Sequence, residues 1–382
     1  MRSPKRREGN PMAEYYVGLD VHSKDCVYAV QDEQGTLLGE GSVTTSPEGL
    51  LLLRRRFELP EGTRVGLETG TVAFYVARLL GRIGLAPLVI EAREVRLLAR
   101  RPNQKSDRRD AFEICDGVRR GRYRSLVHVP PEAITQLRET LGRRRHFVRV
   151  RTAEVNATKR LLRAAGLSVL ARTCLQTERG WQRLLAALKG DDAMARWVEL
   201  HHALWVSTRV QIAALEAMLD QQQAAFAEPL ERLRDVPGVG PIVALTAIAT
   251  FSDVDRFASA KHAASYAGLI PTTYQSGDRD AHGGITRRGS VELRTMLCEA
   301  AHQARRADHP LHPYFSSLCA RRGYKLAVVA VAHRLCRILW AMLRRRTAFD
   351  VQKLGVERGP FEKTTTKLYR LRKNAAVAAV TA

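Results

Sequence analysis

The chain lacks any pair of cysteines at CxxC spacing. Its six cysteines, Cys26, Cys115, Cys174, Cys298, Cys319 and Cys336, are scattered over 382 residues. That pattern argues against a zinc site or a disulfide frame and fits reduced thiols in a cytoplasm. No stretch reads as apolar for long enough to span a bilayer, so no membrane partner is expected. The N-terminal MRSPKRREGNP is basic with no apolar core behind it, unlike a secretory signal, and Met12 is an alternative start. Internal repeats are absent. Acidic residues are scarce: 39 Asp and Glu stand against 62 Lys and Arg, a formal net charge of +23. Such a surplus points to a polyanionic partner, of which nucleic acid is the commonest. The 45% hydrophobic content is that of a globular chain and excludes disorder for the bulk of it. The length implies two or three domains.

Strands and helices alternate at the start. YYVGLDVHSKDCVYAVQ (15–31) reads as strand, turn and strand, 36–44 as a third strand, and 47–57 as a helix. RVGLETG (64–70) is a short apolar strand, VAFYVARLLGRIG (72–84) an amphipathic helix closed by Gly84, and APLVIEA (86–92) a buried strand. This pattern predicts an α/β domain with a partly parallel sheet. Residues 12–92 carry 7 basic and 11 acidic side chains, net −4, whereas 93–165 carry 20 and 8, net +12. The positive charge therefore begins where the sheet ends. Helices are expected over 104–121 and 131–165, the second bearing Arg143, Arg144, Arg145, Arg149 and Arg163. Another helical run spans 197–226. The two long runs pair as an antiparallel hairpin or serve as a dimerising coiled coil, and the pattern leaves both open. A helical domain follows from about residue 229. Its end, 321–346, holds eight basic residues, among them Arg321, Arg322 and Lys325, and no acidic one. The expected domains are 12–128, 129–228 and 229–350, with basic, loosely ordered tails at 1–11 and 351–382.

Four carboxylates form a pattern. Asp20 follows Val17-Gly18-Leu19 of the first strand, and Glu68 ends a later strand. Asp107 and Asp110 lie three apart in KSDRRDA, on one face of a helix. Two strand-end carboxylates and a helical pair can converge at one edge of a sheet, and hard cations such as Mg²⁺ take oxygen ligands of this kind. Two such ions can hold the attacking and leaving oxygens of a phosphodiester. Singly, each residue has an ordinary reading: an Asp after a strand is usually a turn residue, and a helical DRRD a solvated face. In order, they make the carboxylate layout of an RNase H-like fold. GLDVHS also resembles the phosphate loop of sugar and acetate kinases, but neither a second phosphate loop nor an adenosine site accompanies it.

Residues 266–294, YAGLIPTTYQSGDRDAHGGITRRGSVELR, read as a glycine-rich polar loop before a helix. Ser276 beside Gly277 can approach a phosphate closely, with Arg287 and Arg288 to neutralise phosphoryl charge. A flexible surface loop with a turn serine explains the same residues. Thr273, Tyr274 and Ser290 are rival hydroxyls, Ser290 being placed to cap a helix over 291–302. VPGVGPIVA (236–244) reads as a helix-hairpin-helix turn, whose Gly238 and Gly240 leave backbone N–H groups free for a DNA phosphate, or as a plain connection. Basic stripes over 143–163 and 321–346 suit the backbone of DNA or folded RNA, and no base-reading motif is visible.

These motifs resemble the IS-one-ten family of insertion-sequence transposases, DEDD-type enzymes that include Piv-like DNA invertases. Over roughly 15–350, GLDVHSKD, GLETG and KSDRRDA match the family's RuvC-like domain. VPGVGP, FASAKHAASYAGLIPTTYQSG and GGITRRGSVELR match its transposase domain. The resemblance implies a DEDD tetrad at Asp20, Glu68, Asp107 and Asp110 that binds Mg²⁺. It implies a catalytic Ser276 that links covalently to a DNA phosphate, followed by strand exchange through a Holliday-junction-like intermediate. A structured noncoding bridge RNA would pair with donor and target DNA. Dimers would assemble into tetramers in which a serine domain completes a partner's carboxylate site. The implied architecture is α/β plus all-α: an RNase H-like (RuvC-like) domain, a helical coiled-coil connector and a helical transposase domain. GLETGTVAFY departs from the family's usual Ser or Gly after TG without removing a catalytic position. The expected protein is a transposase or site-specific recombinase of the bacterial cytoplasm, on the nucleoid. The rivals are an Mg²⁺-dependent nuclease or Holliday junction resolvase that uses water, and a non-catalytic nucleic-acid-binding protein on a decayed nuclease fold.

Overall fold

The computed structural model describes residues 14–99, 106–276, 279–286 and 288–354. Arg287, Gly277 and the tails 1–11 and 355–382 lie outside the described residues. The chain divides into two compact units at Val129 and Pro130.

The first unit holds β1 (Tyr16–Val21), β2 (Asp25–Gln31), β3 (Leu37–Thr44), α1 (Pro47–Arg56), β4 (Arg64–Glu68), α2 (Ala73–Arg82), β5 (Ala86–Ile90), α3 (Ala92–Leu98) and α4 (Asp107–Arg119). Its five-stranded sheet runs β3-β2-β1-β4-β5. β1, β2 and β3 are antiparallel neighbours, whereas β1, β4 and β5 are parallel. Parallel strands need crossover connections, and α2 supplies the one between β4 and β5. Both faces of β1 are covered. Leu50 and Leu53 of α1 and Val76 and Leu80 of α2 pack with Val17, Leu19, Val65 and Leu67. Tyr16 and Ala29 pack on the other face with Ile114, Cys115 and Val118 of α4. Two covered faces explain why these strands read as apolar runs.

Glycine brings α4 unusually close to the sheet. A Cβ on Gly18 of β1 would stand 2.1 Å from the Ala111 carbonyl oxygen and 2.4 Å from the Cys115 nitrogen. One on Gly66 of β4 would stand 2.4 Å from Val118 Cγ2. The helix backbone therefore rests on the strand backbone, and Cys115 Sγ donates to the Tyr16 carbonyl at 3.2 Å. Burial pushes the Cys115 thiol up to about 12, so it stays a protonated packing group.

The second unit holds α5 (Glu132–Ala164), α6 (Glu178–Ala187), α7 (Asp192–Gln222), α8 (Ala227–Arg234), α9 (Pro241–Phe251), α10 (Ala260–Tyr266), β6 (Pro271–Ser276), β7 (Arg279–Ile285), α11 (Val291–Ala301), α12 (His312–Arg322) and α13 (Tyr324–Arg345). α5 and α7 pair antiparallel within the chain. Gln222 Nε2 donates to Thr140 Oγ1 at 3.0 Å, Arg144 Nη2 meets Glu216 at 2.7 Å, and His201 Nδ1 lies 2.6 Å from Glu154. One end of the pair is held in a core with Leu233, Phe251, Leu297, Val331 and Leu339. The other end is held in a separate core of Leu162, Trp181, Val198 and Trp205.

Two expectations are corrected here. The second unit is not all-α: β6 and β7 form an antiparallel ribbon where a polar loop was expected. Its cause is legible in Pro-Thr-Thr-Tyr, whose β-branched and aromatic residues favour extended backbone despite the following glycines. The expectation that no stretch is apolar enough to span a bilayer also fails by length and composition, because the 22 residues of α13 are long and apolar enough to do so. α13 is the central core helix, with Ala327, Val331, Leu335 and Leu339 fully buried. Its buried stripe packs into the core, while Arg334, Arg337 and Arg345 lie on another face.

His309 ties the turn between α8 and α9 to this core. Its Nδ1 accepts the Leu311 N–H at 3.0 Å, so Nε2 carries the proton and donates to the Pro237 carbonyl at 3.2 Å. Burial holds the imidazole below its ordinary pKa.

Three stability measurements follow from this packing. Gly18→Ala lowers the unfolding free energy by about 3 kcal/mol in a denaturant titration, because backbone cannot yield to the added methyl. Gly142, exposed in the middle of α5 with nothing near its Cβ, gives the opposite sign. Gly142→Ala raises stability by about 0.5–1 kcal/mol. His309 has a depressed folded pKa, so its contribution is complete above the unfolded value near 6.5 and is lost as pH falls through the folded pKa. Thermal melts between pH 7 and pH 5 should fall more steeply for the parent chain than for His309→Gln.

Candidate active site

The carboxylates gather where the parallel strands end. Asp20 is the fifth residue of β1 and is 8% exposed. Leu19 pairs with Leu67 across β1 and β4, so Glu68 follows Leu67 beside Asp20 on the neighbouring strand. Thr69 holds the chain beyond Glu68: its N–H donates to the Ile90 carbonyl at 2.9 Å, and its Oγ1 accepts the Ala92 N–H. Asp107 and Asp110 occupy the first turn of α4, whose cap is Ser106, accepting the Arg109 N–H. A helix N-terminus is positive, which favours carboxylates there by about 0.3–1 kcal/mol.

His22 joins the two groups. Its Nε2 lies 3.3 Å from Asp20 Oδ2 and 3.5 Å from Asp107 Oδ2. The three donor atoms lie within 4.8 Å of one another. The turn that carries His22 is tied on both sides. Its N–H donates to the Asp25 carbonyl at 2.9 Å, and its carbonyl accepts Thr45 Oγ1 at 2.9 Å. The sequence reading missed this residue. The available signal was the i, i+2 spacing of Asp20 and His22, which places both on one side of an extended strand. Asp110 lies one helical turn beyond Asp107, and Glu68 one strand over from Asp20. Two carboxylates and an imidazole at this spacing form a donor set for a divalent cation.

Ser276 belongs to the second unit. It is the last residue of β6 and pairs with Arg279, at the far end of the ribbon from its root; only its backbone is described. The root is pinned. Gly289, at φ +79°, sits where a Cβ would stand 2.0 Å from the Tyr266 carbonyl oxygen. Ser290 N–H donates to that carbonyl at 2.9 Å, and Arg294 Nη1 donates to the Ala267 carbonyl at 3.0 Å. Ser290 caps α11 as expected, accepting the Leu293 N–H. Arg288 is exposed.

The remaining cations and glycines have distinct settings. Arg143 is exposed and pairs loosely with Glu139, Arg144 is engaged by Glu216 inside the helical pair, and Arg145 is half-buried. Gly238 takes φ +83° against the Ala300 carbonyl, while Gly240 begins α9 ahead of Pro241 without a side-chain cap. Arg321, Arg322 and Lys325 are exposed around the α12–α13 junction.

Comparison with known proteins finds the same two halves. A DEDD transposase model of the IS110 type matches residues 17–167, and the model of the transposase IS116/IS110/IS902 family matches residues 230–316. The chain is 28% identical to the transposase for insertion sequence element IS1111A of Coxiella burnetii, over 65% of this chain and 69% of the relative. It is 29% identical to a probable family 20 transposase of Pseudomonas aeruginosa, over 75% and 85%. It is 26% identical to the transposase for insertion sequence element IS1328 of Yersinia enterocolitica, over 79% and 92%. With both models matched in order, the first running through α5 and the second starting within α8, this chain belongs to the IS110 family of insertion-sequence transposases.

Proposed function

We propose that this transposase cuts and rejoins donor and target DNA through a phosphoserine intermediate, at a site made by Asp20, Glu68, Asp107, Asp110 and Ser276. The observation that carries the reading is the meeting of Asp20 and Asp107 around His22, at the end of the strand that also neighbours Glu68. The sheet order 3-2-1-4-5, with the carboxylates at its parallel end, supports an RNase H-like, RuvC-like assignment for residues 12–128. Residues 129–228 then act as the coiled-coil connector and 229–350 as the serine-bearing domain.

The donor set fits Mg²⁺. Carboxylate oxygens are its natural ligands, and the donor atoms of Asp20, His22 and Asp107 lie within 4.8 Å of one another. When bound, Mg²⁺ supplies a Lewis acid at the scissile phosphate. Asp20, Glu68, Asp107 and Asp110 would hold it, with His22 beside Asp20 and Asp107. Ser276 Oγ attacks phosphorus and gives up its proton to solvent; a Ser–O–P bond forms as the P–O bond to one strand end breaks, and that end takes a proton from solvent and leaves as a hydroxyl. The phosphoserine keeps a phosphate ester, which a strand-end hydroxyl attacks to rejoin DNA and release the serine. Arg287 and Arg288, a few residues from the ribbon, hold phosphate oxygens.

The carboxylates and the serine lie in different units of the chain, which suits a site completed between copies in a dimer or tetramer. The outer face of α7 exposes Trp197, Leu200 and Leu204 at helical spacing, an apolar stripe that a second copy would cover. Exposed cations at Arg143, Arg321, Arg322 and Lys325, with the α9 N-terminus at Gly238 and Gly240, offer contacts to nucleic-acid backbone. No base-reading motif accompanies them, which favours guidance by a noncoding bridge RNA. The protein would work in the bacterial cytoplasm, on the nucleoid.

Two measurements test this reading. Incubated with Mg²⁺, element DNA and RNA transcribed from the flanking noncoding region, the protein should yield a DNA-linked band on a denaturing gel. Ser276→Ala and Asp20→Asn should each abolish it; cleavage without an adduct would assign a water-using nuclease instead. In calorimetric Mn²⁺ titrations, Asp20→Asn should bind no measurable ion and His22→Ala should bind about tenfold more weakly than the parent.

A further inference from the structure

The second unit contains a cavity of about 560 Å³ lined by none of the residues of the proposed active site, its arginines belonging to the basic stripe over 321–346. It lies along one face of α13, where Arg334, Arg337, Ala341 and Arg345 follow one another at helical spacing. Arg346, at φ +52°, ends the helix in a left-handed turn and sends the chain back. Residues 347–354 then close one side, and Arg334 Nη2 donates to the Leu354 carbonyl at 3.0 Å.

The lining has two kinds of group. Its buried part is aromatic and apolar. Trp340 is 7% exposed with its indole N–H committed to the Val254 carbonyl, Phe349 is half-buried, and Tyr314 lies under the Arg334 guanidinium at 4.9 Å. Its rim is cationic. Arg337 and Arg345 are exposed, with no ion pair among the described residues. Among the described residues the one lining carboxylate, Asp350, is engaged by Lys353 at 3.7 Å. His333 stands between rim and floor, and burial holds its imidazole below the ordinary pKa, so near neutral pH it offers one N–H and one lone pair.

The combination selects a ligand. An apolar guest would leave the guanidinium groups unused, and a bare phosphate would leave the aromatic floor unused. A duplex offers phosphates but keeps its base faces stacked inside. A planar base on an aromatic floor with phosphates on exposed cations is the pattern of single-strand recognition. The volume falls within the roughly 300–1,000 Å³ usual for a bound small ligand or cofactor. Because the cations are at the open rim, a strand can continue past the cavity on both sides.

We infer that this cavity receives one unpaired nucleotide of a nucleic-acid strand, its base against Trp340, Phe349 and the Tyr314–Arg334 pair and its phosphates on Arg337 and Arg345. The inference rests on the nucleic-acid partners proposed above and adds an unpaired segment among them.

The test uses the full chain carrying Asp20→Asn and Ser276→Ala, without added metal, so that the fate of the recombination mechanism does not affect the readout. Twelve-residue single strands of DNA and of RNA, each with one 5-iodouracil, are photocrosslinked and mapped by mass spectrometry. Fluorescence anisotropy compares the better-bound strand with a blunt DNA duplex. Crosslinks should fall on Tyr314, Trp340 or Phe349. Arg337→Ala with Arg345→Ala should weaken the single strand about tenfold and the duplex less than twofold, with an unchanged thermal melt. Phe349→Leu, which keeps an apolar floor, should lose the crosslink at that position and part of the affinity. The arm that binds better, DNA or RNA, identifies the strand. Crosslinks confined to other segments would overturn the inference. So would equal losses for strand and duplex, or displacement by millimolar inorganic phosphate as effective as by a mononucleotide, which would leave an anion site only.

Discussion

Contact between the backbone of α4 and the backbone of β1 is the constraint on which the candidate site depends. An ordinary side chain at position 18 would hold helix and strand apart; Gly18 removes it, and Ala111 and Cys115 move into the space. The carboxylates need this because they come from separate elements. Asp20 is carried by a strand and Asp107 by a helix 87 positions later, and only their spacing lets His22 reach both. Gly66 extends the same close approach to β4, so the strand that carries Glu68 is registered against the same helix. Hydrogen bonding reinforces it through the Cys115 thiol and the Tyr16 carbonyl, both sealed from water. A site of this kind is stiff, as metal-assisted chemistry requires of its donors.

Much of this was legible in the residues, and the parts that were not have physical reasons. Strands and helices of the first unit follow from apolar runs and caps, and the ends of β4, α2 and β5 fall within two or three residues of their expected positions. Asp20 and Asp107, which meet around His22, could be named because a strand end and an i, i+3 helical pair are local features. His22 was not named, since a histidine in a turn gains meaning only from Asp107, which is distant in sequence. The ribbon of β6 and β7 was hidden because its glycines signal a loop, while pairing across the ribbon supplies the order. Whether α5 meets α7 or a second copy could not be decided from an apolar pattern shared by both. The Arg144–Glu216 and His201–Glu154 contacts, with the two cores at the ends, pair the helices within one chain. Arg144 illustrates the limit of charge counting: a run of three arginines reads as one stripe, yet its middle member is engaged inside the pair.

The charge changes sign within the first unit: residues 12–92 are net −4, and the segment from 93 onward, which carries Asp107 and Asp110, is net positive. Net negative charge in the segment that carries Asp20 and Glu68 suits a cation, while net positive charge in the following segment suits a polyanion. A cation-binding centre set in a strongly basic surface would compete with its own surroundings for anionic substrate. Burying Asp20 at the end of β1 limits that competition to short range.

The antiparallel pair of α5 and α7 also fixes a length. Thirty-three residues of helix extend about 50 Å, the rise of about fifteen base pairs of duplex. Each end is clamped in its own core, so the span cannot shorten by sliding without breaking the contacts of Thr140, Arg144 and Glu154. The pair is in effect a molecular ruler. Adding or removing one residue in both helices would change its reach by only about 1.5 Å but turn one core about 100° against the other. Insertions of whole turns are therefore the natural increments by which relatives of this chain can alter the distance between its two cores.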